Sequence, residues 1–336
     1  MGNKLSFGYL YDFRNPKPWQ RSYTDVYHDV LDFIEWTEQV GFYGAWVPEH
    51  HCADDGYMPS PLTILGSVAA RTKKLKIGTG VGLGPLYHPV RFAEDCAVVQ
   101  NLSGGRLEIG LAIGYRRREA EALSAEFSRR GKRFDEFLNV VTQLWLGEVV
   151  SVDGDFFSIQ NASLSPLPEH HIPLYLGGFA DKALERVAKF GDGYFGNEDV
   201  CENYLNKLAK YGKDSSQARI RIQGLFFVVA DNPDEAMEEL APYYHYVNNC
   251  YGEWLNEDKA SGVDNTKLLK AQSLDEFIAS GVLQIKTPTQ AIEYFQNMLT
   301  RTPVEHFIMM LPPGIPTKTF KKYAQTFAEK VMPAFK

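Results

Sequence analysis

The amino-acid sequence predicts a (β/α)8 TIM barrel, an α/β fold formed by one domain. Eight apolar segments of strand length alternate along the chain with segments whose apolar residues recur at helical spacing. No linker rich in proline, glycine or serine divides the 336 residues. A doubly wound sheet, the alternative fold, would have fewer strands and a GxGxxG turn, which the sequence lacks. We therefore expect a single domain over residues 1–336, with a hairpin and a long insertion added to the barrel.

The first three strand–helix units are predicted from apolar runs and from residues typical of helix ends. Thr24 or Asp25 can cap the first helix, and Gly41 ends it. Pro61 opens the second helix and Pro89 the third, because the first turn of a helix tolerates a residue without a backbone donor. The predicted strands are 5–11, 44–47 and 75–84, and the predicted helices are 24–40, 59–74 and 88–103.

The other five units continue the alternation, with two additions. The stretch 149–159 alternates around Asp153-Gly154, which predicts a β-hairpin. After the seventh strand, residues 231–285 show neither the alternation of a strand nor the regular apolar spacing of a helix. They carry several aromatic residues, which is typical of an inserted lid or binding region. The remaining predicted strands are 106–113, 173–178, 193–196, 220–229 and 306–311, and the remaining helices are 131–146, 180–191, 200–211, 289–299 and 317–331.

Composition excludes several classes of function. The formal net charge is -7 and the acidic residues are scattered, whereas a nucleic-acid partner requires clustered lysine and arginine. No stretch approaches the roughly 18 apolar residues of a spanning helix, so we expect no membrane partner. The cysteines, at 52, 96, 201 and 250, form no CxxC pair, which disfavours a disulfide framework or a zinc ribbon. A cytoplasmic location is expected.

The main candidate catalytic residues are Glu49, His50 and His51, which follow the second predicted strand. In a barrel of this kind the active site gathers at the C-terminal ends of the strands. Adjacent side chains on a strand end point to opposite sides, so the two histidines are poorly placed for one metal ion. A histidine that faces the cup suits acid–base work or hydrogen bonding near neutral pH. Capping of the strand is the alternative role for the histidines. A second Glu-His-His triplet, at 169–171, precedes the fifth strand and is expected on the opposite face of the barrel, with a structural role.

Glycines at the ends of two further strands indicate a cofactor. Gly177-Gly178 directly precedes a helix, whose unpaired amides and positive dipole end favour a phosphate group. The glycine-rich end of the third strand, around Gly80, offers a place where a flat ring can lie against the backbone. Tyr115 follows the fourth strand at the same end of the barrel. Together these features predict a phosphorylated planar cofactor.

Several sequence blocks, in this order, resemble the bacterial luciferase-like flavin-dependent monooxygenase family, including the luciferase alpha subunit. The resemblance spans nearly the whole chain, and the order and spacing of the blocks make it specific. The blocks are Gly41-Phe42 with Glu49-His50-His51, Ile77-Gly78-Thr79 with His88-Pro89-Val90-Arg91, Ser103-Gly104-Gly105-Arg106, Pro173 to Gly178, and Val331-Met332-Pro333.

The resemblance implies an enzyme that binds reduced FMN supplied by a separate flavin reductase. In the family, O2 adds to the flavin, and the resulting flavin peroxide oxidises an aldehyde or another small hydrophobic substrate. His50 matches the catalytic histidine, with Glu49 and His51 in support. The family also implies a dimer formed through the helices of the second and third units. We expect a homodimer, and a different subunit as the partner stays open.

The resemblance assigns cofactor contacts residue by residue. Gly80-Val81 matches a bulge with an unusual cis peptide that lies against the flavin ring, and Arg133, or else Arg130, matches a phosphate ligand. Ala112, Gly114 and Tyr115 would line the flavin, and Gly177, Gly178, Phe179 and Ala180 would surround the phosphate. Ala112 stands where luciferase has a reactive cysteine, Ile113 replaces an arginine, and Ala180 and Ala183 replace hydroxyl residues, so we expect a non-luminescent monooxygenase.

Two other functions stay open at this point. Related barrels bind a deazaflavin and transfer hydride, although few basic residues are expected near the cup to hold that cofactor's acidic tail. A non-catalytic flavin-binding protein is the other alternative. The substrate is also open, since Phe7, Tyr57, Tyr115, Phe179 and the aromatic residues of the insertion could either wall an apolar pocket or belong to the core.

Overall fold

A closed parallel barrel forms the centre of the molecule. The computed structural model describes residues 4–257 and 272–336. Eight strands lie in the order β3-β2-β1-β13-β10-β9-β8-β5, and pairing of β3 with β5 closes the ring. The barrel strands are β1 (Ser6–Leu10), β2 (Gly44–Val47), β3 (Lys76–Thr79), β5 (Leu107–Ala112), β8 (Leu174–Leu176), β9 (Gly193–Gly196), β10 (Ile220–Gln223) and β13 (Val304–Met310). The predicted (β/α)8 barrel is confirmed.

Helices surround the barrel and begin close to where the sequence predicts. The cap of the first helix differs, because the Ser22 side chain, rather than Thr24 or Asp25, accepts a hydrogen bond from the Asp25 amide. The short helix α4 was not predicted. The helices are α1 (Tyr23–Gln39), α2 (Pro61–Arg71), α3 (Pro89–Ser103), α4 (Arg117–Ala122), α5 (Arg130–Trp145), α6 (Asp181–Phe190), α7 (Cys201–Lys210), α8 (Pro233–Glu257), α9 (Leu274–Ser280), α10 (Pro288–Arg301) and α11 (Thr317–Lys330).

Three small additions decorate the barrel. Strand β4 (Gly82–Leu83) pairs with the end of β5 and extends the rim. The predicted hairpin is confirmed, since β6 (Val150–Asp153) and β7 (Ser158–Ala162) pair antiparallel. Outside the barrel, β11 (Phe227–Val229) pairs parallel with β12 (Gln284–Lys286).

The region after the seventh barrel strand differs from the prediction of a loss of regular structure. Its first part is α8, a single helix of 25 residues with Pro242 inside it. The predicted strand 220–229 is in fact two strands, β10 and β11. They separate at Gly224, where a side chain would collide with the Phe307 ring. The rest of the predicted insertion contains α9 and β12, and residues 258–271 lie outside the described part of the chain.

Helix α8 crosses the mouth of the barrel. Its Val247 belongs to a buried cluster with Leu10 and Trp46 from the strand ends, and Tyr251 packs against that cluster. Burial of these apolar side chains holds the helix over the C-terminal ends of the strands. In residues 4–257 and 272–336, every helix is too short or too polar to cross a bilayer.

A buried histidine inside the barrel fixes Trp46, which forms the floor of the cup. Trp46 Nε1 donates to His306 Nε2 at 2.8 Å, and His306 Nδ1 lies 2.8 Å from Ser6 Oγ. Burial, together with the charge of Arg221, lowers the pKa of His306 well below its ordinary value. The ring is therefore neutral, and its single proton sits on Nδ1 because Nε2 accepts from the tryptophan.

Candidate active site

Glu49, His50 and His51 lie directly after β2, at the mouth of the barrel. The Glu49 amide donates to Val81 O at 3.2 Å, and the His50 amide donates to Met58 O at 3.1 Å. These two bonds fix the backbone between the rim at β4 and the loop before α2. The site therefore stands at the end of the strands where the sequence placed it.

The Glu49 carboxylate binds the rim and His51 rather than His50. Its Oε2 accepts from the Leu83 amide at 2.7 Å, and its Oε1 accepts from Tyr87 OH at 2.7 Å and lies 2.9 Å from His51 Nε2. Burial alone would lower the pKa of His51, but the hydrogen bond and charge of Glu49 outweigh it and raise that pKa. Glu49 and His51 thus form one pair, next to His50.

The partner of His50 is Glu119, which the sequence did not indicate. His50 Nδ1 lies 2.7 Å from Glu119 Oε1, and the same oxygen accepts from the His51 amide at 3.0 Å and from Arg116 Nη1 at 3.1 Å. Burial would raise the pKa of Glu119, but His50 and Arg116 together lower it. Glu119 is therefore an anion that accepts a hydrogen bond from His50 Nδ1. This arrangement leaves His50 Nε2 for a ligand.

Aromatic rings enclose His50, and only 7% of the residue is exposed. The ring centroids of Tyr57 and Tyr115 lie 4.6 and 5.7 Å from the imidazole. From α8, Trp254 and Tyr251 approach to 5.0 and 6.1 Å. Tyr57 and Tyr251 also share a hydrogen bond of 2.7 Å between their hydroxyl oxygens. The helix that crosses the barrel mouth thus covers the candidate catalytic histidine.

A second polar cluster, after β1, lies on the other side of these rings. Arg14 Nε donates to Asp55 Oδ2 at 2.6 Å, and Tyr246 OH donates to the same oxygen at 2.7 Å. Asp12 is buried beside them, and its Oδ1 accepts from the Arg14 amide at 3.2 Å. Burial raises the pKa of Asp12 to about 7, although the charge of Arg14 opposes the shift.

The pKa of Asp12 predicts a pH dependence of stability. Because the native state holds the Asp12 proton more tightly than the unfolded chain, stability falls as pH rises from about 4 to about 7, by up to about 1.4 kcal/mol per pH unit. Asp12→Asn is expected to remove this part of the slope. Urea unfolding at half-unit pH intervals measures it, with the exposed Asp54→Asn as control. Equal slopes in Asp12→Asn and wild type would show that Asp12 is ionised in the native protein throughout.

The peptide between Gly80 and Val81 is cis, as the family resemblance implied. A side chain at position 80 would lie 2.9 Å from Trp46 Cβ and 3.2 Å from Phe195 Cζ, so the backbone is pressed close to the cup floor. Gln223 Nε2 donates to Gly80 O at 3.3 Å. The bulge therefore presents backbone rather than side chain to the cup.

The candidate phosphate site lies at the start of α6. Gly178 has φ +139°, and a side chain there would lie 2.6 Å from Ala183 Cβ, so the chain turns sharply into the helix. Phe179 and Ala180 are exposed, and no side chain caps the helix. Ala112, at the end of β5, is 3.8 Å from the position of a Cβ on Gly177. These neighbours leave the first amides of α6 open to an anion.

The arginines assigned to the phosphate already bind carbonyl groups. Arg133 Nε donates to Pro85 O at 2.8 Å, and its guanidinium stacks on Phe157. Arg130 Nε donates to Gly114 O at 3.2 Å, on the loop where Tyr115 follows. Both side chains are half-buried in the structure. Arg130 Nη1 also donates to Phe127 O at 2.9 Å, and the choice between the two arginines stays a prediction.

The structure separates the predicted pocket aromatics into two groups. Phe7 is a core residue, because it packs edge-on against Phe295 and Phe327 beneath the barrel wall. Phe179 is half exposed at the start of α6. Tyr57 and Tyr115 lie at the site. The second triplet precedes β8, on the opposite face as predicted, where the exposed His171 pairs with Asp192.

The residues that sequence reasoning missed stand on elements it did not predict or beyond its motifs. Glu119 lies on α4, three residues after Arg116, a spacing that pairs opposite charges on a helix. Arg14, which was also missed, lies in the loop after β1. Trp254 was not missed, since it is one of the aromatic residues expected in the inserted lid or binding region, and it lies on α8 beside His50. No group of three or more histidine, cysteine, aspartate or glutamate side chains in the described residues is arranged to hold a metal ion.

Comparison with known protein families gives one extensive match. A family model described as luciferase-like monooxygenase matches residues 5–305. Limonene 1,2-monooxygenase of Rhodococcus erythropolis is 25% identical over 296 residues, which cover 84% of this chain and 75% of that protein. An F420-dependent glucose-6-phosphate dehydrogenase of Microbacterium testaceum is 30% identical over 175 residues, which cover 50% of this chain and 52% of that protein.

Solved structures share the fold over nearly the full length. Monooxygenase RslO1 from Streptomyces bottropensis has a TM-score of 0.81 and 21% identity, with coverage of 98% of this chain and 100% of that chain. The oxygenating constituent of 3,6-diketocamphane monooxygenase from Pseudomonas putida, a complex with FMN, has a TM-score of 0.77 and 15% identity, with coverage of 98% of both chains.

Proposed function

Because the chain belongs to the luciferase-like monooxygenase family of oxidoreductases, we propose that it binds reduced FMN in the barrel mouth and uses O2 to oxidise a small hydrophobic organic substrate. The observation that carries this proposal is the buried His50–Glu119 pair beside the bare backbone at Gly80. It combines a fixed imidazole with a surface of bare backbone in one cup. A flat cofactor and a proton-handling group are what such a reaction requires.

The residues of the cup fit FMN. Bare backbone at Gly80 accommodates a flat ring, and the open amides at the start of α6 suit a single phosphate. A structural neighbour of this chain was solved in complex with FMN, which supports the same choice here. When bound and reduced, FMN supplies the electrons that activate O2.

The side chains divide the remaining work. His50, with a proton held on Nδ1 by Glu119, can accept or donate a proton at Nε2. Glu49 and His51 hold the rim of the cup and the backbone beside His50. Tyr251 and Trp254 cover the histidine from α8, which keeps water away from the reacting groups.

The proposal extends to partners of the enzyme. The neighbouring FMN-bound structure is described as an oxygenating constituent, which supports a separate flavin reductase as the supplier of reduced FMN. Val98 and Leu102 on α3 are more than half exposed, and this apolar face favours a homodimer through the second and third units. Ala112, in place of a reactive cysteine, favours a reaction without light emission.

A deazaflavin-dependent hydride transfer is the second candidate, because relatives of this chain include F420-dependent dehydrogenases. The expectation of few basic residues near the cup was wrong. Arg117 and Arg130 both stack on Phe127, at 4.6 and 3.9 Å, and bring α4 and α5 together as a basic rim. An acidic cofactor tail could bind there, so charge alone does not separate the two cofactors.

Anaerobic binding distinguishes the two candidates. The purified protein is titrated with reduced FMN and, separately, with reduced F420, and bound cofactor is measured by equilibrium dialysis. We expect reduced FMN to bind at least about tenfold more tightly, a difference of about 1.4 kcal/mol. If F420 binds more tightly, hydride transfer replaces oxygenation as the proposed reaction. If neither cofactor binds, the chain shares only the fold of the family and not its cofactor.

Glu119→Gln tests whether the carboxylate fixes the proton on His50. A glutamine amide offers either a donor or an acceptor to Nδ1, so the ring loses its single tautomer, and we expect turnover to fall about tenfold to hundredfold. The ¹⁵N resonances of the His50 ring should shift toward a mixture of tautomers. Glu121→Gln, an exposed change on the same helix, is the control. Unaltered resonances with unaltered turnover would remove Glu119 from this role.

A further inference from the structure

Buried polar atoms without a hydrogen-bond partner are concentrated in one shell around the rings at His50. Folded proteins rarely leave such atoms unpaired, so a cluster of them marks a place where a ligand or water supplies the partner. Among the described residues, the shell contains unpaired atoms of Asp12, Arg14, Asp55, Tyr115, Arg116 and Glu119. Glu119 and Arg116 belong to the His50 site, whereas Asp12, Arg14 and Asp55 have no role in the proposed chemistry.

Arg14 is the strongest donor in this shell. The residue is 2% exposed, and neither of its terminal nitrogens has an oxygen or nitrogen acceptor among the described residues. Its guanidinium lies 4.8 Å from the Tyr57 ring centroid, 5.1 Å from Tyr246 and 5.5 Å from Trp254. The sulfur of Cys250 bonds Arg14, but burial raises the pKa of Cys250, so the sulfur stays a thiol and only a weak acceptor.

The charges around Arg14 favour a neutral ligand. Asp55, 2.6 Å from Arg14 Nε, already compensates the positive charge, and a second anion would leave buried charge in excess. The unpaired atoms also include an acceptor, Asp55 Oδ1, and the second carboxyl oxygen of Asp12, whose pKa burial raises. A group that both accepts from Arg14 and donates to a carboxylate satisfies the shell, and a hydroxyl group is the simplest such group.

Arg14 and His50 share two ring neighbours. Tyr57 lies 4.6 Å from His50 and 4.8 Å from Arg14, and Trp254 lies 5.0 and 5.5 Å from the same two groups. A flat molecule in contact with these rings and with His50 is therefore within reach of the Arg14 nitrogens. Aromatic walls favour a flat aromatic molecule over a flexible chain, because rings gain offset or edge-on contacts.

We propose that Arg14, with Asp12 and Asp55, binds the phenolic hydroxyl of an aromatic substrate whose ring lies against Tyr57 and Trp254 beside His50. The inference rests on the proposed function in taking His50 as the reacting centre. It narrows the substrate from any hydrophobic compound to a hydroxyarene. Arg14 is then a specificity-determining residue and does not itself take part in the oxidation.

Equilibrium dialysis of 2-naphthol and 2-methylnaphthalene against the full-length, flavin-free protein tests the proposal. The two probes differ in one group, so the ratio of their dissociation constants reports the hydroxyl contact. The double variant Arg14→Met, Asp55→Asn keeps the shell neutral. In this variant we expect 2-naphthol to lose about tenfold in affinity relative to 2-methylnaphthalene, because a hydrogen bond from a charged group is lost. Arg14→Lys keeps the charge but lacks the planar set of guanidinium donors. It should lose at least about threefold of the relative affinity for 2-naphthol.

Arg91→Met, on the exposed face of α3, is the matched control and should retain the wild-type ratio. A ratio that stays within twofold of wild type in both Arg14 variants overturns the proposal. Failure of 2-naphthol to bind the wild type also overturns it, because the shell then holds water. Since no flavin is present, the result is independent of whether reduced FMN binds.

Discussion

Replacement of His50 by alanine is expected to lower turnover by about a hundredfold or more, because a positioned acid–base group contributes about 10²–10⁴ to a rate. His50 is the candidate because its Nδ1 is engaged by Glu119 at 2.7 Å, so its other nitrogen can serve a ligand inside the closed site. The binding of reduced FMN should change less than about threefold, since the bulge at Gly80 and the start of α6 provide the proposed flavin contacts.

Product formation from the best substrate in a panel of small aromatic and aliphatic compounds measures this effect. The chain offers a matched control in its second Glu-His-His triplet, where His171→Ala removes an exposed imidazole before β8. Turnover of His171→Ala should equal that of the wild type. If His50→Ala retained a third or more of the wild-type rate, His50 would be a structural residue, as its capping alternative supposes.

Replacement of Arg221 by methionine is expected to cost about 3–5 kcal/mol of the free energy of unfolding, because it leaves the buried Glu108 carboxylate with only a distant charged partner, Lys76 Nζ at 3.9 Å. Arg221 Nη2 lies 2.6 Å from Glu108 Oε2, and both side chains are almost fully buried inside the barrel. The same nitrogen donates to Tyr175 OH at 2.8 Å. The guanidinium also stacks on Trp46, the floor of the cup, so loss of Arg221 should loosen the site as well.

Guanidinium chloride unfolding followed by circular dichroism measures the change. Arg219→Met is the matched control, since Arg219 bonds Glu305 from the partly exposed end of the same network. A partly exposed pair contributes little, so this variant should lose less than about 1 kcal/mol. Equal losses in the two variants would mean that water reaches Glu108 in the native protein.

The barrel was predictable because its strands and helices repeat a simple pattern. Each strand is a short apolar run that needs cover on both faces, and proline or glycine punctuates most helix ends, as at Pro61 and Pro89. Helix α8 was missed because its face toward the barrel mouth mixes aromatic and polar residues, and Pro242 interrupts the pattern. Tertiary contact with the strand ends stabilises a helix that its own sequence barely indicates.

The site was predictable in part for a related reason. Glu49, His50 and Gly80 follow strands directly, so the fold class alone places them in the cup. Glu119 and Arg14 stand in connecting segments, whose course depends on packing rather than on a repeating pattern. The Glu119 carboxylate is 69 positions from His50 in sequence, and nothing short of the folded structure brings them together.

Rapid mixing of the reduced-FMN complex with oxygenated buffer tests the proposed monooxygenase activity most directly. Absorbance is recorded between 300 and 600 nm, on the order of milliseconds to minutes, which covers conformational and release steps in most enzymes. A flavin monooxygenase should show a phase whose spectrum matches neither reduced nor oxidised FMN, and His50→Ala should shorten that phase. Oxidation in a single phase, at the rate of free flavin, would contradict an oxygenase function for this barrel.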